Sequence, residues 1–66
     1  MRDWLIKLRL RDGLSQEEIS KKCNISQNFY SWIETGERNP SVHTAKKIAN
    51  VLNTDWTKFY ENTYKN

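Results

Sequence analysis

The stretch that decides the fold runs Ser15-Gln16-Glu17-Glu18-Ile19-Ser20-Lys21-Lys22-Cys23-Asn24-Ile25-Ser26-Gln27-Asn28-Phe29-Tyr30-Ser31-Trp32-Ile33-Glu34-Thr35-Gly36. It opens on a capping box. The Ser15 hydroxyl is placed to accept from the amide three residues on, and Glu18 to reach back to the Ser15 amide. Leu14 before the cap and Ile19 after it have the spacing of a hydrophobic staple. Ile19, Ser20 and Cys23 then share the inward face of a short helix. Asn24 follows, a residue that tolerates the left-handed conformation better than most. It predicts a sharp turn, anchored by the apolar Ile25. Ser26 has the chemistry of the next N-cap, and Gly36 that of a C-terminal stop. The reading is two short helices with a tight turn between them, about 16–34, which are helix-turn-helix dimensions.

Working outward, the periodicity is helical on both sides and no strand-like alternation occurs. Upstream, Trp4, Leu5 and Leu8 fall on one face of a helix from about Arg2 to Arg11, with Ile6 and Leu10 as a second apolar line. Gly13 ends it. Downstream, the loop Glu37-Arg38-Asn39-Pro40 leads to Ser41, another N-cap. Val42, Ala45, Ile48, Ala49 and Leu52 then form an apolar stripe, with Lys46 and Lys47 pointing away. Asn53 repeats the left-handed role of Asn24. Asp55 or Thr54 caps a fifth helix in which Trp56, Phe59, Tyr60 and Tyr64 recur at helical spacing, and residues 61–66 form a short tail. The fold class expected is all-α: a single compact five-helix domain over residues 1–66.

Composition narrows the function. A chain of 66 residues, 36% hydrophobic, builds one small core and no cleft between two lobes. No apolar run approaches the roughly 20 residues that cross a bilayer, and the first residues lack a secretory apolar segment. Cys23 is the single cysteine and His43 the single histidine. An internal disulfide is therefore impossible, and no zinc set can be assembled. A lone thiol suits a reducing cytoplasm. No nucleophile, base and acid set and no phosphate loop is present, so neither an enzyme nor a cofactor is expected. The formal net charge of +3 leans toward an anionic partner.

The combination of Leu14-Ser15-Gln16, Ile33-Glu34-Thr35-Gly36 and Asn39-Pro40-Ser41 resembles the lambda-repressor-like, or xenobiotic-response-element, family of DNA-binding domains. The resemblance spans about Leu5 to Tyr60. Asn24 stands where the family usually carries a turn glycine, and Ser20 where it carries a small alanine. Tyr30 and Trp32 are bulkier than is common. The resemblance implies a five-helix domain that binds double-stranded DNA at a palindromic operator as a two-fold homodimer, acting as a transcriptional regulator, here read as a repressor. The third helix would be the recognition helix.

The residues themselves favour that placement. With Ile33 and either Phe29 or Tyr30 turned inward, Gln27, Asn28, Ser31 and Trp32 fall outward. Gln and Asn each offer a donor and an acceptor together to an adenine edge. Trp32 has three uses open: a thymine methyl, the sugar-phosphate backbone, or cover for a neighbouring helix. The third helix contains no Lys or Arg, so phosphate affinity must come from its flanks. Gln16 matches the family's phosphate-binding position, and Arg38 and Asn39 lie in the following loop. Lys21, Lys22, Lys46 and Lys47 add positive field. Arg9 and Glu34 match positions that pair across the first and third helices, a structural ion pair. Cys23 reads as a small core residue and His43 as solvated. Trp56, Tyr60 and Tyr64 carry the expected dimer contact, with Trp4 or Ile6 assisting, because aromatic stripes with polar hydroxyls make good interfaces. A protein-binding module of the same fold, such as an antitoxin or an antirepressor partner, is the alternative.

Overall fold

The computed structural model describes residues 1–64, with side chains described through Glu61. Four α-helices are followed by a 3-10 helix: α1 (Asp3–Arg11), α2 (Gln16–Lys22), α3 (Gln27–Thr35), α4 (Val42–Leu52) and the C-terminal segment Trp56–Tyr64. No described helix is long and apolar enough to cross a membrane.

Local chemistry sets the boundaries. Ser15 accepts from the Glu18 amide at 3.0 Å, and Glu18 Oε1 accepts from the Ser15 amide at 2.8 Å, closing the capping box. Ser26 caps α3 through the Phe29 amide at 3.0 Å, and Ser41 caps α4 through the Thr44 amide at 3.2 Å. Helices α1, α2 and α4 end on one shared device. Gly13, Asn24 and Asn53 sit at φ of 69°, 57° and 55°. In each case the following residue returns its amide to the carbonyl five residues back: Leu14 to Arg9, Ile25 to Ser20, and Thr54 to Ala49. This is the Schellman motif, which satisfies carbonyls that the helix end would otherwise leave bare. Gly36 ends α3 at φ 89°, its amide bonded to the Trp32 carbonyl at 3.1 Å.

The buried side chains are Leu5 from α1, Ile19 and Cys23 from the α2 region, Tyr30 and Ile33 from α3, Ala45, Ile48 and Leu52 from α4, and Phe59 from the 3-10 helix. Each large apolar side chain in this set contributes about 1.5–3 kcal/mol by leaving water. Leu14, Ile25, Trp4 and Trp56 pack around it. Trp4 meets Phe59 edge-on at 4.9 Å, which fastens the C-terminal segment to α1.

Several details differ from the sequence reading. Tyr30, not Phe29, is the fully buried aromatic of α3; Phe29 is half-buried. Val42 heads the α4 stripe but is 49% exposed and lines a surface groove instead of the core. Leu10 is also exposed, so the second apolar line of α1 is not a core line along its whole length. Lys47 is half-buried instead of pointing fully away. The fifth helix is 3-10 in form and runs through Tyr64, into the stretch read as a tail. The Tyr64 side chain lies outside the described residues.

Candidate nucleic-acid interface

The surface around α3 is built from its buried side outward. Glu34 is 2% exposed, and four donors meet its two oxygens. Arg9 Nε donates to Oε2 at 2.6 Å and Arg9 Nη2 to Oε1 at 3.3 Å. The Tyr30 hydroxyl donates to Oε2 at 2.7 Å, and Gln16 Nε2 to Oε1 at 2.9 Å. Arg9 Nη1 also donates to the Leu14 carbonyl at 2.9 Å. The Arg9–Glu34 pair thus ties α1, the α1–α2 turn, the first residue of α2 and the middle of α3. A buried charge is tolerable only when paired and hydrogen-bonded in this way. Among the described residues no buried side-chain nitrogen or oxygen lacks a partner.

The network perturbs its members as the geometry requires. Burial pushes the Glu34 carboxyl upward, but hydrogen bonds from Arg9, Tyr30 and Gln16 outweigh it and hold the group below its ordinary value. Burial, followed by the Glu34 hydrogen bond, drives the Tyr30 hydroxyl far above the ordinary tyrosine range. Both groups stay in one protonation state at neutral pH, so the network is a fixed frame. Cys23 lies in the core with its thiol pushed up by burial, which makes it a poor nucleophile.

The outer side of α3 is different. Gln27 and Asn28, in the first turn, are exposed, and Ser31 is half-buried. Trp32 is 40% exposed, and the Arg38 guanidinium lies 5.0 Å from its ring centroid. This cation–π contact brings the bulky aromatic and the basic loop residue into one unit beside the amides. Asn39 is exposed, and its Oδ1 accepts from Arg2 Nη2 at 2.6 Å. Gln16 is half-buried through its bond to Glu34. A primary amide nitrogen carries two protons, so Gln16 keeps one donor beyond the network. Lys21 and Lys22 are exposed near the end of α2, Lys21 in a loose 3.4 Å pair with Glu17. Lys46 is engaged elsewhere, 5.2 Å from the Trp56 ring.

Val42, Trp56, Thr57, Tyr60 and Glu61 line a groove of about 430 Å³. Trp56 and Tyr60 meet edge-on at 6.0 Å, and the Tyr60 hydroxyl donates to the Pro40 carbonyl at 2.8 Å. Of the expected dimer residues, Trp56 and Tyr60 therefore line a groove, and Tyr60 also braces the loop that carries Arg38 and Asn39. Among the described residues no group of three or more His, Cys, Asp or Glu side chains could hold a metal ion.

The sequence reading missed two contributors. Tyr30 lies four residues before Glu34, the spacing at which helical side chains meet, so a hydroxyl bonded to that carboxylate was a legible signal. Arg2 was not legible. Its backbone amide donates to the Glu34 carbonyl at 2.7 Å and its guanidinium to the Ile33 carbonyl, contacts that join residues more than thirty positions apart.

Residues 5–59 match the family model described as Helix-turn-helix. The chain is 49% identical over 61 residues to the uncharacterised HTH-type transcriptional regulator YqaF of Bacillus subtilis, a match covering 92% of this chain and 80% of the relative. It is 38% identical over 53 residues to an uncharacterised HTH-type transcriptional regulator of Archaeoglobus fulgidus, covering 80% of this chain and 76% of the relative. A third relative, y4dJ of Sinorhizobium fredii, is 41% identical over 46 residues, covering 70% of this chain and 60% of its own length.

Proposed function

The chain belongs to the helix-turn-helix family of DNA-binding transcriptional regulators, xenobiotic-response-element type, and from that premise we propose that it is a sequence-specific repressor that reads a palindromic operator as a homodimer. The observation that carries the reading is the exposed amide pair Gln27 and Asn28 in the first turn of a helix whose opposite side is locked by the Glu34 network. A rigid helix presenting free amides suits base-edge recognition in the major groove. Ser31 and Trp32 extend the reading face. Gln16, Arg38 and Asn39 bind phosphates from its flanks, and Lys21 and Lys22 add long-range attraction.

Trp56 and Tyr60 are the proposed dimer contact, because they line a groove together with Val42, a large apolar side chain left 49% exposed. Two copies would set two recognition helices about 34 Å apart, one turn of the duplex. A regulator of this kind works in the cytoplasm, associated with the nucleoid. The named relatives are regulators, which favours this reading over that of an antitoxin or antirepressor partner.

Selection of bound sequences from random duplexes tests the proposal. Two inverted half-sites one helical turn apart are the expected outcome. Absence of enrichment would remove the reading, and a single half-site bound by a monomer would remove the dimer.

A further inference from the structure

Arg2 carries more contacts to distant parts of the chain than its position before α1 requires. Its guanidinium donates to the Ile33 carbonyl, to the Arg38 carbonyl at 3.3 Å and to Asn39 Oδ1 at 2.6 Å. The same group lies 5.6 Å from the Phe59 ring centroid. The last turn of α3 has no basic residue of its own. Arg2 therefore supplies positive charge at the negative end of that helix's dipole and satisfies a terminal carbonyl. It also holds the loop that follows α3 at both Arg38 and Asn39. Tyr60 pins the same loop one residue later, at the Pro40 carbonyl.

We propose that Arg2 is a positioning residue of the DNA-binding surface, latching the loop that bears Arg38 and Asn39 onto the C-terminal end of α3. The proposal rests on the reading of that loop as a phosphate-binding segment. Without the latch, Arg38 and Asn39 must be ordered at the moment of binding, and the entropy of that ordering is subtracted from affinity. The role depends on the planar fork of a guanidinium, which reaches three separate acceptors. An ammonium concentrates its donors at one point and cannot span them.

The test compares Arg2→Ala and Arg2→Lys with the unsubstituted protein, well below the unfolding midpoint. Affinity is measured on the duplex recovered from random-sequence selection and on an unrelated duplex. Arg2→Ala is expected to weaken binding about tenfold on both, the scale of one charge-assisted hydrogen bond. Arg2→Lys is expected to restore little of it. When Arg38 and Asn39 are both alanine, Arg2→Ala should add less than about a twofold loss, because nothing is left to position. In the DNA-free protein, Arg2→Ala should speed hydrogen exchange at the Arg38 amide, which bonds the Trp32 carbonyl at 3.2 Å.

Full rescue by lysine, or a loss that simply adds to that of the loop variants, would make Arg2 one more phosphate-facing charge and overturn the proposal. Unchanged exchange at Arg38 would overturn it as well. If the unsubstituted protein prefers no duplex, the proposed function fails, and the exchange measurement still decides whether the latch exists.

Discussion

The two halves of α3 do opposite things with similar chemistry. From Tyr30 on, the helix turns one face inward: Tyr30 and Glu34 are buried and bonded to one another, Glu34 also to Arg9 and Gln16, and the helix end is held by Arg2. The N-terminal half spends them outward: Gln27 and Asn28 are exposed, and the Ser26 hydroxyl serves the backbone alone. One helix is thus anchored by one half and offered by the other. A surface that reads bases needs both, since an amide on a loose helix orders only at a cost that binding must overcome.

The hardest blow to this division is Glu34→Ala. It leaves Arg9 buried against no anion and frees the hydroxyl and amide of Tyr30 and Gln16. Breaking one partner of a buried pair costs about 3–5 kcal/mol. That is a large share of the stability of a small domain, and chemical denaturation should show the midpoint collapse. The intact carboxylate also predicts an acid limit. Because the folded chain holds Glu34 below its ordinary 4.5, the unfolded chain takes up the proton first. Its contribution is complete above about 4.5 and is lost as pH falls toward the folded value. Glu34→Gln should flatten the stability curve in that acid window. An unchanged curve would mean that other carboxylates carry the acid sensitivity.

The matching test of the exposed half is Gln27→Ala. Stability should change by less than about 0.5 kcal/mol, as for a surface position without partners. Discrimination at one base position should fall by roughly 1–3 kcal/mol. The measurement is the binding profile across single-base variants of the operator. A uniform loss at every base would assign Gln27 to the backbone and take base reading away from this half.

The caps at Ser15, Ser26 and Ser41 and the left-handed stops at Asn24 and Asn53 were readable, because each depends on a side chain and a backbone group a few residues apart. The inward face of α3 was readable only to within one residue. Helical phase alone does not separate Phe29 from Tyr30, and the choice rests on the hydroxyl finding Glu34. Arg9 with Glu34 was reached through resemblance, while the sharing of that carboxylate with Gln16 needed α2 and α3 to be placed together. Arg2 needed the chain closed on itself. The 3-10 form of Trp56–Tyr64 was equally hidden, because an aromatic at every third or fourth position suits either helix.

Ser26→Ala stands between the halves. It removes the N-cap and costs about 1 kcal/mol. The fraying it causes begins at Gln27 and Asn28, so DNA affinity should fall along with stability while the Tyr30–Glu34 bond persists. Backbone exchange confined to the first turn of α3 is the expected signature. Exchange spreading to Ile33 would show that the anchored half depends on the offered one.

The smallest expected effect is at the turn. Asn24 holds φ 57°, a conformation that asparagine adopts at modest cost and glycine at none. Asn24→Gly removes that strain but loosens the unfolded chain, and the two changes oppose each other. The net change should lie within about 0.5 kcal/mol. The Ile25 amide would still reach the Ser20 carbonyl, since that bond belongs to the backbone. Operator affinity should then be unchanged, because the direction of α3 is set by Glu34 behind it and Ser26 before it. A shift in base preference in Asn24→Gly, without a shift in stability, would relocate control of the reading half from the buried carboxylate to the turn.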